Sequence, residues 1–526
     1  MNNEVDEYDY VVVGGGSAGC VLAARLSEDP SVTVCLLEAG PSDVDDPKIL
    51  HLERWPHLLG SGYDWDYPIE PQPGANSFVR HARAKVLGGC SSHNSCIAFW
   101  TPREDLDEWA ARGCSGWSAE ECCPLLARLE NSDGPGDHHG RSGPVRLRQI
   151  PPHDPCGVAL LAAAAAVGLP TVRFNEDVTV TEGAGFFQIN ADEDNLRVSS
   201  SRGYLHPIMG RRRNLVVRTE AWVTRVLFTA AKRASGVEYL DSPTFRYRTV
   251  RARREVVLSA GAIDTPKLLM LSGIGPAEHL REVGIEVLVD SPGVGSNLDD
   301  HVEGLVMWEA SRPMVTRSTQ WWEIGLFTRT QPGLDRPDLM MHYGSVPFDM
   351  NTLRWGYPTT SNGFCLTPNV TRGRSRGTVR LRSRDFRDRA KLDPRYFTDP
   401  QGHDIAVMLA GIRLARRIAA QPALRGWITR ELAPGADAIT DDELIDYIRK
   451  THNTVYHLAG TARMGAVGDP QAVLDPRLRV TGVRGLRVAD ASIMPFLPTV
   501  NPNITIMMIG EKASDLLAED AGQRRA

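Results

Sequence analysis

The chain has 526 residues, of which 42% are hydrophobic and 24% are charged, and its formal net charge at pH 7 is −6. This length exceeds what one hydrophobic core usually serves, so two domains are expected. The acidic balance argues against a nucleic acid as partner, because phosphate backbones attract basic surfaces. No segment approaches the roughly eighteen consecutive apolar residues of a membrane span, so no membrane association is expected.

The N-terminus and the cysteines indicate a compartment. Residues 1–7 are acidic and contain no apolar core, which predicts neither a signal peptide nor a membrane anchor. The nine cysteines form no Cys-x-x-Cys pair, and an odd number in a long chain is typical of reduced thiols. The sequence therefore predicts a cytoplasmic protein.

The first motif lies near the N-terminus, where a strand, a glycine turn and a helix follow one another. Residues 8–13 are predicted as a buried strand, and residues 20–26 as a helix. The turn between them has the sequence Gly-Gly-Gly-Ser-Ala-Gly. Glycines there let a pyrophosphate approach the free N–H groups at the start of the helix. The cofactor contacts expected from this segment are Gly14, Gly16, Ser17 and Gly19.

A second strand is predicted over residues 32–37, and it ends at Glu38. A carboxylate at this point of a βαβ unit accepts hydrogen bonds from the adenosine ribose hydroxyls. It disfavours a 2′-phosphate, so FAD or NAD is expected rather than NADP. The alternative is that Glu38 is a solvated carboxylate at the end of a strand.

The segment over residues 83–95, Arg-Ala-Lys-Val-Leu-Gly-Gly-Cys-Ser-Ser-His-Asn-Ser, sets His93 inside a glycine- and serine-rich loop. Gly88 and Gly89 would let backbone amides approach a flat cofactor, because glycine alone enters the positive-φ region without strain. Taken alone, this string also matches a surface turn with a solvated histidine.

Further elements follow along the chain. A helix is predicted over residues 157–167, ending at Gly168, and strands over residues 215–218, 223–228 and 256–258. The last strand enters Ser-Ala-Gly-Ala-Ile-Asp-Thr-Pro-Lys-Leu-Leu-Met-Leu-Ser-Gly-Ile-Gly, residues 259–275. Capping preferences place the start of a helix at Thr265-Pro266 and its end at Gly273.

The region from about residue 303 to 454 has a different character. Residues 378–382 alternate as in a strand, and a helix follows with an apolar face. A last helix is predicted over residues 504–518. The face of the first of these helices consists of Ile405, Met408, Leu409 and Ile412.

Together, the glycine turn, the loop around His93 and residues 259–275 resemble the glucose-methanol-choline (GMC) oxidoreductases, and the similarity extends from Tyr8 to Asn503. The resemblance implies an α/β fold with a Rossmann-type FAD-binding domain interleaved with a substrate-binding domain of mixed sheet and helices. The first would comprise residues 1–153, 195–302 and 455–526. The second would comprise residues 154–194 and 303–454.

The resemblance also implies FAD held covalently through His93. In the loop around it, Gly89, Ser92 and Asn94 would contact the flavin. Near the C-terminus, Asp490 and Asn501 lie in segments that match the family's last flavin contacts.

Alcohol oxidation by a flavin removes a hydroxyl proton and transfers a hydride to the N5 atom of the ring, so a base must lie beside that atom. By resemblance, His457 is this base and Asn501 orients the substrate oxygen, the alternative being two structural polar groups. His342 and Ser95 would also contact the hydroxyl. Considered alone, His342 is more typical of a histidine satisfied in the core, and Ser95 of a loop cap.

Within the family, the resemblance is to the members that oxidise choline with O₂. Choline is a quaternary ammonium alcohol, and aromatic faces together with a carboxylate suit its cation. Glu303 matches the anionic partner, and Val455 matches the position associated with oxygen reactivity. The alternative is that the tryptophans fill the core. The matching aromatic residues are Trp55, Trp322 and Tyr456.

The implied reaction takes choline through betaine aldehyde to glycine betaine and reduces O₂ to hydrogen peroxide, in a homodimer and with no metal. Three alternatives remain: a choline or alcohol dehydrogenase with another electron acceptor, an oxidase of a neutral primary alcohol, and a noncatalytic flavoprotein. The chain also departs from the family where Leu458 follows His457, because proline is usual there. This departure puts the substrate range in question.

Overall fold

The computed structural model describes residues 6–522. The first five residues of the acidic N-terminal segment, from which the absence of a signal peptide was predicted, lie outside the described residues. Among the helices described, none has both the length and the apolar character needed to cross a membrane.

The first large β-sheet is built around the strand Asp6–Val13. This strand pairs in parallel with Val34–Leu37 on one side and with Arg246–Leu258 on the other. Its last residues are buried on both faces, which explains the unbroken apolar run in the sequence. Both strands that were predicted around the glycine turn are confirmed.

This sheet has seven strands within residues 6–522, and the long strand Arg246–Leu258 joins its two parts. The first half of that strand pairs antiparallel with Ala234–Asp241, and its end pairs in parallel with Leu486–Val488. The strands predicted over residues 215–218, 223–228 and 256–258 all belong to the sheet. In spatial order its main path is Ala221–Phe228, Ala234–Asp241, Arg246–Leu258, Asp6–Val13, Val34–Leu37 and Leu215–Arg218.

Two helices pack against each other beside this sheet. Ser17–Leu26 starts at the glycine turn, and Asn503–Asp520 lies against it. The two backbones approach closely at Gly510, where an added Cβ would lie 2.8 Å from the Ala18 carbonyl oxygen. The predicted C-terminal helix is confirmed and is longer than expected at both ends.

The helix predicted to begin at Thr265-Pro266 begins instead at Gly261 and runs to Leu271. Proline inside a helix normally leaves a carbonyl without its N–H donor, here that of Ala262. The Thr461 hydroxyl donates to this carbonyl at 2.6 Å. The helix therefore tolerates Pro266 in its interior. Its end before Gly273, which has φ +84°, agrees with the prediction.

The second large sheet has eight strands within the described chain, and its pairs are antiparallel. Pro155–Ala166 and His403–Ala419 pack together beside it, and Met408 and Ile412 on the predicted apolar face of the latter are buried. The sheet thus draws on both segments predicted as the substrate-binding domain, whose boundaries remain a prediction. Its strands are Gly183–Phe186, Val302–Glu303, Val306–Ala310, Trp322–Thr328, Leu339–Gly344, Gly363–Val370, Ile428–Ala433 and Asn453–Thr454.

Smaller elements complete the described chain. All nine cysteines are free. The remaining α-helices are Pro47–Leu50, Arg103–Ala111, Ala119–Leu129, Ala277–Glu282 and Asp441–Thr451. Short 3₁₀ helices occupy Leu52–Leu58, Gly89–Ser92, Leu353–Trp355 and Ala491–Ile493, and a short π-helix occupies Ser201–Leu205. Short strands pair as Tyr67–Pro68 with Arg80–His81, Ile274–Gly275 with Val289–Asp290, Thr378–Arg380 with Lys391–Asp393, and Val145–Gln149 with both Glu130–Ser132 and Gln188–Ile189.

Candidate active site

Two cavities adjoin each other in the fold. The first lies at the carboxyl ends of the parallel strands, where open α/β sheets bind their ligands. The second lies against the antiparallel sheet. They contain ≈ 1080 Å³ and ≈ 1060 Å³ of empty space, open solvent included. Their walls share Arg83, Cys90, Leu458 and Ile506.

The glycine turn and the loop around His93 meet at the wall of the first cavity. Gly89 has φ +55°, and a Cβ added to it would lie 2.6 Å from the Cα of Gly16. Gly14 has φ +96°, and its added Cβ would lie 2.5 Å from the Ser259 carbonyl oxygen. These contacts allow no side chain. Gly14, Gly16, Ser17 and Gly89 all line the cavity.

Two buried carboxyl groups also line the first cavity. Glu38 accepts hydrogen bonds from the N–H groups of Gly15 and Gly40, and burial raises the pKa of Glu38 to about 7. Asp490 accepts from the Gly261 N–H at 2.9 Å, and its pKa is also raised by burial. Glu38 is therefore no solvated strand end, because it is buried and both of its oxygens accept backbone hydrogen bonds at the wall of this cavity.

Two predicted cofactor contacts lie behind the cavity walls. Gly19 packs so closely on Gly14 that an added Cβ would lie 1.9 Å from the Gly14 carbonyl oxygen. Ser92 is buried, and its hydroxyl donates to Asp43 at 3.1 Å. Neither lines either cavity. Gly19 and Ser92 therefore support the two segments from behind, while neighbouring residues of the same segments line the cavities.

His93 and Asn94 line the second cavity. The Nε2 atom of His93 lies 3.2 Å from the Leu58 carbonyl oxygen and 3.9 Å from an Asp64 carboxylate oxygen. Burial lowers the pKa of His93 to about 4, although Asp64 acts in the opposite direction. His93 is consequently neutral at physiological pH, the state in which an imidazole nitrogen has a lone pair for bond formation.

His457 lines the second cavity and is paired with a second histidine. The Nδ1 atoms of His301 and His457 lie 2.9 Å apart, so one donates a hydrogen bond to the other. Burial, then the neighbouring His301, His342 and Arg83, hold the pKa of His457 well below its usual range. When His457 is the donor, its Nε2 carries no hydrogen and is free to accept a proton.

His342 and Asn501 bring polar atoms to the same cavity. The side-chain nitrogen of Asn369 lies 3.1 Å from Nδ1 of His342 and donates to the Thr367 carbonyl. With this orientation of the amide, Nδ1 accepts and Nε2 of the neutral ring carries the hydrogen. Burial lowers the pKa of His342 to about 4. Within residues 6–522, neither Nε2 of His342 nor the Asn501 side-chain oxygen has a hydrogen-bond partner.

The other side of this cavity combines a carboxyl group with aromatic rings. Glu303 is 5% exposed, and burial raises its pKa to about 8. Trp55 and Trp322 contact each other edge to face, with ring centroids 5.3 Å apart. The backbone of Tyr456 has φ +64°, which is unusual for a tyrosine. Glu303, Trp55, Trp322, Val455, Tyr456 and Ser95 all line the cavity.

Three residues that sequence reasoning missed support His457. One is His301, described above. The second is Asp300, whose buried side chain accepts hydrogen bonds from the His457 backbone N–H at 3.0 Å and from the Thr454 hydroxyl at 2.6 Å. Burial raises the pKa of Asp300 to about 6. Arg83 donates to the Tyr456 carbonyl and lines both cavities. The sequence signals were indirect: Asp300 and His301 lie in the same segment as Glu303, and Arg83 opens the segment that carries His93.

Comparison with known proteins accounts for this arrangement. The family models described as GMC oxidoreductase match residues 8–303 and 373–510. The chain belongs to the GMC oxidoreductase family. Choline oxidase of Arthrobacter globiformis is 66% identical over 97% of this chain and 94% of that protein. The mitochondrial choline dehydrogenase of Homo sapiens is 37% identical over 97% of this chain and 90% of that protein.

Solved structures of other oxidases have the same fold. Pyridoxine 4-oxidase from Mesorbium loti has a TM-score of 0.91 at 31% identity, covering 98% of this chain and 100% of that one. Formate oxidase of Aspergillus oryzae has a TM-score of 0.90 at 25% identity, covering 98% and 99%. The α/β fold expected from the resemblance is thus confirmed.

FAD is the cofactor of GMC oxidoreductases, and the residues present fit it. Gly89 packs directly on Gly16, so no side chain fills the space at the glycine turn where a pyrophosphate would bind. The two adjoining cavities suit a cofactor with two ring systems. Among the described residues, no group of three or more His, Cys, Asp or Glu side chains is placed to hold a metal ion.

Proposed function

We propose that this chain is an FAD-dependent choline oxidase, which converts choline through betaine aldehyde to glycine betaine and reduces O₂ to hydrogen peroxide. One observation carries the proposal: a single cavity holds a buried carboxyl group and aromatic rings beside two neutral histidines and an amide. The similarity to choline oxidase over nearly the whole chain supports it.

The cation of choline binds between Glu303 and the rings of Trp55, Trp322 and Tyr456. A trimethylammonium group cannot donate a classical N–H hydrogen bond, so aromatic faces and a carboxylate are the groups that attract it. Glu303 is buried, which strengthens this attraction but makes the ionised carboxylate costly when the cation is absent. Ionised Glu303 is therefore coupled to an occupied site.

His457 takes the hydroxyl proton of the substrate at Nε2, because burial keeps its ring neutral. His301 accepts from Nδ1 of His457 and fixes the ring orientation that this role needs. When bound, FAD would supply the acceptor for the hydride of the alcohol carbon and the route by which the electrons reach O₂. Asp300 holds the backbone of His457 and thereby the position of the base.

His342 and Asn501 stabilise and orient the substrate oxygen. Within residues 6–522, Nε2 of His342 has no partner in full hydrogen-bond geometry, although the neighbouring Asn501 side chain acts on its pKa. The hydrogen on Nε2 can therefore turn to the alkoxide as that charge develops. Asn501 and Ser95 contact the same hydroxyl from neighbouring walls. Betaine aldehyde enters as its hydrated form, whose hydroxyl groups meet the same residues.

His93 would hold the flavin covalently, and Val455 occupies the position that the family associates with oxygen reactivity. The neutral state of His93 supports the first statement. Glu38, Asp490 and the glycine turn hold the adenosine and pyrophosphate part. The remaining proposed contacts with FAD are Gly14, Gly16, Ser17, Gly89, Asn94 and Asn501, whereas Gly19 and Ser92 support these residues from behind the cavity walls.

We also propose a cytoplasmic homodimer, a location supported by nine free cysteines within the described chain.

The deciding experiment measures oxygen uptake by the purified yellow protein with choline and with 3,3-dimethylbutan-1-ol, which keeps the shape of choline without its charge. Uptake that strongly favours choline is expected. Equal uptake with both alcohols would exclude the cation site and favour an oxidase of neutral alcohols. Dye reduction without oxygen uptake would favour a dehydrogenase, the activity named for a 37% identical relative. A flavin that no alcohol bleaches would indicate a noncatalytic flavoprotein.

A further inference from the structure

Arg197 is a fully buried arginine that forms no ion pair. Its exposed fraction is 0%, and no carboxylate lies within 4.0 Å of its guanidinium among residues 6–522. Arg487, which is also buried, bonds instead to Glu255 and Asp520. Burial lowers the pKa of Arg197 and outweighs Cys96 and Asp43, which still favour its charge. A buried cation without a contacting carboxylate is costly, so its hydrogen bonds are the place to look for its role.

The hydrogen bonds of Arg197 bracket His93. Its Nη1 donates to the Ser91 carbonyl at 3.1 Å and to the Asn94 side-chain oxygen at 2.9 Å, on either side of the histidine. The same nitrogen lies 3.0 Å from the sulfur of Cys96. One planar guanidinium thus fixes the loop before and after His93.

Arg197 also holds the segment that faces the ring of His93. Its Nε donates to the Ile49 carbonyl at 3.1 Å, and its backbone N–H donates to the Leu50 carbonyl at 2.8 Å. This segment continues through Leu52–Leu58, and the Leu58 carbonyl lies 3.2 Å from Nε2 of His93. Both the loop that carries the histidine and the carbonyl beside its ring are therefore tied to one side chain.

The charge of Arg197 acts on His93 as well. It lowers the pKa of the histidine and so opposes Asp64, whose carboxylate lies 3.9 Å from the ring. Losing the guanidinium would leave Asp64 less opposed and shift His93 toward its protonated form, which has no lone pair to offer a carbon atom.

We propose that Arg197 is the positioning residue for covalent attachment of the flavin, holding in place both the loop that carries His93 and the segment that faces its ring. This inference rests on the proposed bond to His93. In that step a ring nitrogen of His93 bonds to a methyl carbon of the flavin, and one proton leaves each partner. The two electrons released are taken up, with the two protons, by O₂, which becomes hydrogen peroxide.

The test uses the purified holoenzyme with Arg197→Met, Arg197→Lys and, as matched control, Arg487→Met, which removes a buried arginine remote from the loop. Each protein is precipitated with acid, and flavin is measured in the pellet and the supernatant. We expect Arg197→Met to reduce the pellet-bound fraction at least about fivefold. Arg197→Lys, which keeps the charge but not the fork of donors, restores part of it. Arg487→Met leaves the fraction unchanged.

The outcomes separate this inference from the proposal on which it rests. Complete release of flavin from the unsubstituted protein would overturn both. If the unsubstituted protein and the Arg197→Met protein keep the same fraction of flavin in the pellet, the role of Arg197 is overturned while the bond to His93 stands. The role of Arg197 is also overturned if the Arg487→Met protein loses as much pellet-bound flavin as the Arg197→Met protein. If the methionine variant does not fold, the lysine variant decides, and retention equal to that of the unsubstituted protein would overturn the inference.

Discussion

The two cavities differ in how the chain builds them. At the glycine turn, backbone segments pack against each other so closely that Gly14 and Gly89 leave no space for a side chain. The second cavity consists of buried ionisable side chains whose pKa values depart from their usual ranges, among them Glu303 and His457. The first cavity also contains buried carboxyl groups, Glu38 and Asp490, but both accept hydrogen bonds from backbone N–H groups. We therefore expect the first region to recognise its ligand mainly by shape and peptide dipoles, and the second by the protonation states that burial imposes.

The largest effect should come from removing the base. We expect His457→Ala to lower kcat/KM for choline by about 10²–10⁴-fold, because a positioned base contributes that much. The flavin content should remain normal, since the first cavity is untouched. Steady-state oxygen uptake and anaerobic bleaching of the flavin measure the change, and a decrease smaller than tenfold would exclude His457 as the base.

Glu303→Gln should weaken choline binding by about 30-fold, which corresponds to about 2 kcal/mol for a charged partner in a dehydrated site. The KM for the uncharged isostere 3,3-dimethylbutan-1-ol should change little and serves as the internal control. Steady-state kinetics with both alcohols give the comparison. An unchanged KM for choline would remove Glu303 from the cation site.

Gly89→Ala tests the first cavity. An added Cβ would lie 2.6 Å from the Cα of Gly16, at a φ of +55°, so we expect a loss of FAD and about 1–3 kcal/mol of stability. Gly60→Ala is the matched control, because Gly60 also has positive φ but nothing within 4 Å of the added atom. Flavin absorbance per protein and thermal unfolding measure both. Equal losses in the two variants would show that backbone strain, and not the close approach, matters.

The smallest effect is on the pH dependence of binding. Since the pKa of Glu303 is raised to about 8, the free site is mostly protonated below that pH, and a cation must displace the proton. The affinity for choline should therefore rise about tenfold per pH unit below that value and level off above it. The KM for choline, measured by oxygen uptake at several pH values between 6.5 and 9, follows this change. A flat profile, with Glu303→Gln showing the same values, would contradict it.

The same contrast explains what the sequence predicts. The glycine turn and its flanking strands are local, so apolar runs and small residues identify them from a few adjacent positions. His301 has no such signal, because its partner His457 lies 156 residues away and only the fold brings the two rings together. The helix start at Gly261 was missed because Thr461, 199 residues beyond Ala262, supplies the hydrogen bond that Pro266 cannot make.

That bond from Thr461 to Ala262 has a consequence for redesign of the enzyme. It joins the segment just after His457 to the helix Gly261–Leu271, which lines the first cavity. Exchange of the eight-stranded sheet for a relative's, in order to change the alcohol accepted, should therefore keep residues 455–522 with the N-terminal half. A chimaera in which His457 and the residues after it come from the relative together with the new sheet would lose the hydrogen bond between Thr461 and Ala262.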